Sequence, residues 1–414
     1  MPCIDFEVKR LSDTDIVVVG AGMVGSMLAA AAGRAGLNVV LLENRMPAPF
    51  DPASAYDLRV SALSLASENM LKAVGAWQGI LDRRSAPFRR MKVWDGEQGG
   101  TTLFDSQDLD YSHLGTIVEN RVIQLALHDQ LRDMANVSLR DSAAVKDFDV
   151  TPSEVRVVLD DGQTLTAKLL VGADGANSTV RSLAGIDSRS IRYPQKALVA
   201  SVDTADGQQD ITWQRFLPTG PQAFLPLQGS RASMVWYHSE DEVARLLALD
   251  DATFLDEMHA SFPVEPGAFT GLSARSSFPL FATQAERYVL QRVALIGDAA
   301  HSVHPLAGQG VNLGLLDAAQ LCADIERSAE RGRDFGELRT LRRYERARRS
   351  ENEIMIRVLD GFYHAFKPQM SAVQAVRSSM LDAVERVNPL RRLIMQQAMG
   401  VRGDLPPLAL PDHG

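Results

Sequence analysis

The residues whose types and spacing could do chemistry fall in three glycine-bearing stretches. The first, Gly20-Ala21-Gly22-Met23-Val24-Gly25, stands between an apolar run and an alanine-rich one, and Glu43 ends the next apolar run. At this spacing Gly20 permits a tight turn, Gly22 lets backbone approach a pyrophosphate, and Gly25 lets a helix pack closely on a strand. The helix N-terminus supplies free N–H groups and partial positive charge, and Glu43 would accept hydrogen bonds from ribose hydroxyls. The pattern predicts dinucleotide binding without separating one dinucleotide from another.

The other two stretches are LVGADGANSTVR from Leu170 and LIGDAAHSVHPLAGQGVNLGLLDAAQL from Leu295. Each places an Asp-bearing glycine turn just after a buried strand, where ligands of such sheets bind. Asp298 is positioned to hold a polyol hydroxyl, and a ribityl chain belongs to a flavin and not to a nicotinamide dinucleotide. From Pro305 the loop carries Gly308, Gln309 and Gly310, then opens a helix with Asn312, Gly314 and Asp317 in its first turns. A helix start aimed at the pyrimidine edge of an isoalloxazine would stabilise the negative charge of the reduced ring. Singly, Asp298 as a helix cap, the glycines as a turn and Asn312 as a capping group stay open.

The elements that must position these residues are those of an α/β protein. Asp15–Gly20, a helix over Met23–Ala35 and Asn38–Glu43 read as a βαβ unit, with further helices over Leu63–Gly75 and from Asn120. Residues 137 to 172 read as a small antiparallel meander, with Asp161-Gly162 at a hairpin turn. Strands return over 191–279, with one helix near Asp241–Ser261, and the buried-strand pattern resumes at Arg292. Beyond Arg331-Gly332-Arg333, two or three helices should run to about Met399, before a frayed proline-rich end. The run Ile16–Gly33 is long enough for a membrane span, but Gly20, Gly22 and Gly25 interrupt it where a strand would turn into a helix.

A length of 414 residues favours two domains. A net charge of −9 argues against a nucleic-acid partner. Cys3 and Cys322 stand far apart, which suggests neither disulfides nor zinc; the His301/His304 spacing has no carboxylate at a fixed offset, and no metal is expected. The N-terminus lacks an apolar signal region, so a cytoplasmic, non-secreted protein is expected.

HPLAGQGVNLGLLD (304–317), with GAGMVG (20–25), Glu43, RVSAL (59–63), Glu119-Asn120-Arg121, GADGANS (172–178) and GDAAH (297–301) in order, resembles the flavoprotein monooxygenases of the para-hydroxybenzoate hydroxylase fold. Within them the chain is similar to the ubiquinone-biosynthesis hydroxylases. The resemblance implies a Rossmann-like FAD-binding domain from 1–78, 114–187 and 286–330, a sheet-based substrate domain from 79–113 and 188–285, and C-terminal helices over 331–414. It assigns Gly20, Gly22, Gly25 and Glu43 to the ADP half of FAD, Arg59 and Arg121 to the pyrophosphate or flavin, and Asp298 to the ribityl chain. Pro305, Gly308, Gly310, Val311 and Asn312 would line the isoalloxazine, and Asp174 would support the pyrophosphate region.

The implied reaction hydroxylates a polyprenylated phenol with O2 through a flavin C4a-hydroperoxide, Pro305 lying at the ring face. Electrons would come from NAD(P)H or a redox protein. His304, Tyr237 and His238 are candidates to draw the phenolic proton, and Trp213, Phe216, Phe224, Leu225 and Trp236 to form an apolar pocket, or simply core. Residues 111–123, 341–349 and 397–400 look like the member that hydroxylates C5; TWQRFLPTGPQAFLPL looks like the C6 member acting on a demethoxyquinol, and C1 is also open. An FAD reductase or dehydrogenase of the same fold and a flavin-stabilised non-catalytic subunit stay open. So do contact with other ubiquinone-biosynthesis proteins, a homo-oligomer, and peripheral contact with the inner membrane through the arginine-rich segment 339–349, whose alternative is a packed helix with a solvated face.

Overall fold

A computed structural model describes residues 14–96, 100–264, 268–304, 308–365 and 384–411. Its first sheet is built on Thr14–Val19, with Ile16, Val17 and Val18 fully buried because helices cover both faces. In order, Val293–Leu295, Thr164–Gly172, Thr14–Val19, Val39–Leu42 and Val137–Arg140 pair in parallel. The chain leaves the central strand in one direction and returns on its other side, so the strand ends at Val19 and Gly172 flank a crevice. Met23–Arg34 is the crossover helix after the first strand.

A second, eight-stranded sheet carries Ser188–Thr204, Ile211–Leu217, Gly220–Leu227, Arg231–Ser239 and Phe269–Ala285, extended at one edge by Arg90–Asp95 and Thr101–Asp105. Its pairing sets one row of side chains across four strands: Gln214, Ala223, Val235 and Val199 are successive partners. Leu198, Phe224, Met234 and Trp236 take the other face, where they form a core with Phe254 and Met258. A small sheet of Val60–Ser64, Gly115–Glu119 and Ala86–Phe88 stands between the two.

Four local expectations change. Val60–Ser64 pairs with Gly115–Glu119, so the helix expected from Leu63 begins at Leu65, with Ser64 accepting from the Ser67 N–H as its cap. Val137–Arg140 is a parallel edge strand; the antiparallel meander is Val145–Val150, Val155–Leu159 and Thr164–Gly172. The helix expected over 241–261 splits into Glu240–Ala248 and Asp251–Ser261, because the Asp250 carboxylate caps a second start. The proline-rich end is docked: Asn69 donates to the Ala409 carbonyl at 3.1 Å, and Ala409 is buried. Among the described residues no helix is long and apolar enough to cross a membrane, and Ile16–Gly33 resolves into a strand and a helix.

Candidate functional site

The glycine loop after the first strand separates two demands. A Cβ on Gly20, whose φ is +99°, would lie 2.5 Å from the Ala173 carbonyl oxygen, and one on Gly25 would lie 1.9 Å from that of Gly20. These two glycines serve the protein's own packing. Gly22 is different: its Cβ would meet nothing within 4 Å. It is the N-cap of Met23–Arg34 and no side chain caps that helix start, so an open face is presented beside N–H groups suited to an anion. Glu43 accepts from the N–H groups of Ala21 at 2.8 Å and Arg45 at 2.9 Å, which fixes its carboxylate at the edge of the loop. The Ala21 carbonyl takes hydrogen bonds from Gln124 and His128, each at 2.8 Å, two supports the glycine pattern did not disclose.

Asp174 spends its carboxylate on its own turn, accepting from the Ser178 hydroxyl and from the N–H groups of Thr179 at 2.7 Å and Val180 at 3.1 Å. That turn abuts Gly20 through Ala173, so Asp174 supports the loop from behind. Arg121 pairs with Asp57 at 3.2 Å, and Arg59 lies over the Phe278 ring at 5.0 Å.

Asp298 follows Gly297, whose φ is +58°. Asp298 is exposed yet walled round by protein; that surrounding raises its pKa above the ordinary value, with His301 and Arg59 acting against the rise. Behind it lies a buried network. Asp317 accepts from His301, from the Gly297 N–H at 3.1 Å, from Arg348 at 2.8 Å and from Asn352 at 3.2 Å. Burial alone would push the Asp317 carboxyl up, but His301 and Arg348 hold it down at about 2. Asp317 was visible only as the last letter of a motif, and Arg348 only as one of many arginines.

The helix Gly310–Glu330 has no side-chain cap either, and its first N–H groups adjoin the cleft beside Gly308 and Gln309. A Cβ on Gly310 would meet nothing within 4 Å. Val311 packs at the edge of the first sheet's core. The Asn312 side chain is turned away from the cleft and fully engaged: its oxygen accepts from the Ser64 N–H at 3.0 Å and the Ser67 hydroxyl at 2.7 Å, and its nitrogen donates to the Ala62 carbonyl at 2.9 Å. Only its backbone can face a ring there. Pro305 lies outside the described residues.

Next to this helix start is a cavity of about 410 Å³, mostly apolar. Ala197, Val199, Ala223, Ser233 and Val235 of the second sheet form its floor, Phe88, Met91 and Phe104 one side, and Ile394, Met395 and Met399 of the last helix another. Tyr237 is in the wall, and its ring stacks on buried His304 with centroids 5.8 Å apart. Burial pulls the His304 imidazole down to about 4 and pushes the Tyr237 phenol well up. His238 is not in the cavity wall, because neighbours on a strand face opposite ways; its Nδ1 accepts from the Ser239 N–H. Of the expected pocket residues, Trp213 and Leu225 reach the wall, while Phe216, Phe224 and Trp236 do not. Phe224 and Trp236 belong to the core on the other face of the sheet. Small residues, not aromatic ones, leave the room.

Residues 13–357 match the family model described as an FAD binding domain. The chain is 38% identical to the 3-demethoxyubiquinol 3-hydroxylase of Escherichia coli, over 94% of this chain and 99% of that protein. It is 38% identical to the ubiquinone hydroxylase UbiL of Rhodospirillum rubrum (93% and 89% covered) and 36% identical to the human mitochondrial ubiquinone biosynthesis monooxygenase COQ6 (92% and 91%). In structure it is similar to the p-nitrophenol 4-monooxygenase PnpA of Pseudomonas putida, with a TM-score of 0.77 and 21% identity over 95% of this chain and 99% of that one, a likeness of fold.

Proposed function

The chain belongs to the FAD-dependent hydroxylases of ubiquinone biosynthesis, and from that premise we propose that it hydroxylates the ring of a polyprenylated phenol, at C5. The observation that carries this reading is the apolar cavity of about 410 Å³ opening directly on the Gly308–Gly310 helix start. When bound there, FAD supplies the redox chemistry by which O2 delivers one oxygen atom to a ring carbon, with two electrons from NAD(P)H or a redox protein.

The residues present fit that cofactor. Gly22 and the uncapped start of Met23–Arg34 would take the pyrophosphate, Glu43 the adenosine ribose, and Asp298 the ribityl hydroxyls. Arg59 and Arg121 would approach the cofactor's phosphates or ring. The backbone of Gly308, Gly310, Val311 and Asn312, with Pro305, would meet the isoalloxazine edge, and the helix start would favour negative charge there. Asp174, Asp317 and Arg348 position the turns that carry these groups.

In the cavity, apolar walls exclude water and hold the phenol ring flat against the helix start. Tyr237 would accept and donate a hydrogen bond at the substrate hydroxyl, and neutral His304, stacked on the Tyr237 ring, would hold that ring in place. The prenyl tail would run between the last helix and the small sheet.

A second ring position, C6 of a demethoxyquinol, is favoured by one observation. The stretch TWQRFLPTGPQAFLPL forms the cavity floor through Gln214, Ala223 and Leu225, and the Escherichia coli relative is a demethoxyubiquinol hydroxylase. Both positions are tested by turnover of each prenylated substrate under heavy-isotope O2, followed by mass and NMR analysis of the ring. Heavy oxygen at C5 supports the first position and at C6 the second. A reduced, substrate-bound enzyme that places no heavy oxygen in either ring overturns the hydroxylase reading.

A further inference from the structure

The helix Gly310–Glu330 begins at the candidate flavin site, and its other end lies about 30 Å away. There, with the start of the helix Leu338–Ala365, it encloses a second cavity of about 300 Å³. Six arginines, Arg327, Arg331, Arg333, Arg339, Arg343 and Arg346, face one carboxylate, Asp324. That carboxylate is buried and already shared, with Arg327 at 3.2 Å and Arg343 at 2.9 Å. Arg339 reaches Glu337 at 3.4 Å. Arg331 and Arg333 form no ion pair with any described residue, and Arg346, which also acts on the Asp324 carboxylate, makes none within 4 Å.

Helix electrostatics explain only part of this concentration. Arg327 and Arg331 stand at a helix C-terminus, where cations are favoured. Arg339 stands in the first turn of the next helix, where anions are favoured and no acidic residue lies, though Glu337 precedes it; Arg343 and Arg346 follow one and two turns later, beyond the reach of that preference. The pairs Arg339/Arg343 and Arg343/Arg346 are like charges at i,i+4 and i,i+3, which repel on a helix. All this occurs in a chain whose net charge is −9. The turn that delivers Arg331 and Arg333 is also fixed: Gly332 has φ +61°, and the N–H groups of Gly332 and Arg333 donate to the carbonyls of Ala329 and Ser328, each at 2.9 Å.

The geometry points to a second binding site, remote from the flavin, for a phosphate-bearing anion. Planar guanidinium groups match phosphate oxygens two at a time. A soluble phosphate ester and an anionic phospholipid headgroup present the same chemistry here.

The FAD-loaded protein is titrated with inorganic pyrophosphate by calorimetry at fixed ionic strength, and co-sedimented with phosphatidylglycerol/phosphatidylcholine vesicles and with phosphatidylcholine alone. The variants are Arg331→Ser/Arg333→Ser/Arg346→Ser and the matching triple lysine; flavin absorbance checks their fold, and Arg333→Ser alone replaces the triple serine if that does not fold. The expected result is pyrophosphate binding that weakens at least tenfold in the serine variant and less in the lysine variant. Arginine-dependent sedimentation with the phosphatidylglycerol vesicles assigns the site to a headgroup, and pyrophosphate binding without it to a soluble phosphate. No binding of either probe, or binding that the serine variant leaves unchanged, overturns the site.

Discussion

At the scale of single residues, neighbouring glycines that look alike in the sequence answer to different constraints. A methyl group on Gly25 would strike the Gly20 carbonyl at 1.9 Å, whereas one on Gly22 points into open space. Gly25→Ala is therefore expected to destabilise the apoprotein, and Gly22→Ala to leave its melting temperature within about a degree of wild type while FAD retention falls at least tenfold. Thermal melting of the apoprotein reads the stability of both variants and flavin-to-protein absorbance on purification reads flavin retention, and a Gly22→Ala protein with full flavin would remove that residue from the site. His304 supplies a pH-dependent case. Its pKa falls from the ordinary 6.5 to about 4 through burial, against the pull of Asp360, so the folded protein keeps it neutral where the unfolded chain takes up a proton. That contribution to stability is complete above about pH 6.5, declines as pH drops to about 4, and is constant below. Urea unfolding at pH 7, 5.5 and 4.5 should show His304→Gln removing up to about 3 kcal/mol of the pH dependence over this window.

At the scale of elements, Asn312 ties the helix Gly310–Glu330 to Ala62, Ser64 and Ser67. Asn312→Ala leaves the Ser64 N–H and the Ala62 carbonyl without that partner inside the protein and is expected to cost about 2–4 kcal/mol, with weaker flavin binding, measured by denaturation and by fluorescence titration with FAD. The sequence shows the helix start because glycines and a buried-strand pattern surround it, but it cannot show where the Asn312 amide points, since its partners lie some 250 positions earlier. The cavity was hidden for a related reason. Hydrophobic pattern marks Trp213, Phe216, Phe224, Leu225 and Trp236 equally, and only strand register separates Leu225 from Phe224 and Trp236. Alanine, valine and serine at 197, 199, 223, 233 and 235 carry no strong signal, though together they hold the space open. Ala223→Phe is expected to fill that floor and lower kcat/KM for the prenylated substrate by tenfold or more at unchanged FAD content. Steady-state kinetics on the flavin-loaded variant would detect it, and an unchanged kcat/KM would place the substrate elsewhere.

At the scale of the whole molecule, the proposed cofactor contacts come from distant parts of the chain: the loop at 20–25, Glu43, Arg59, Arg121, Asp298 and the helix start at 308–312. The first two stretches converge because parallel pairing places Val19 and Leu42 at one end of one sheet, and Arg59 and Arg121 come together because Val60 pairs with Glu119 in the small sheet. The last two join them because Val293–Leu295 pairs beside Thr164–Gly172, and Asp317 then fastens Gly297 to the following helix. The apolar cavity adds a floor from the second sheet and a wall from the last helix and its C-cap, where Met395 and Met399 pack with Phe88 and Leu114. A ligand bound across so many segments exists only in the folded state, so it must stabilise all of them together. At FAD one hundredfold above its dissociation constant the gain is about 2.7 kcal/mol. For a chain of this size that corresponds to a rise of a few degrees in melting temperature. Removing FAD should lower the transition by that amount, and adding it back should restore it in proportion to the logarithm of its concentration. Calorimetry of the stripped and reconstituted protein measures both, and a transition indifferent to FAD would mean that these segments do not meet on the cofactor.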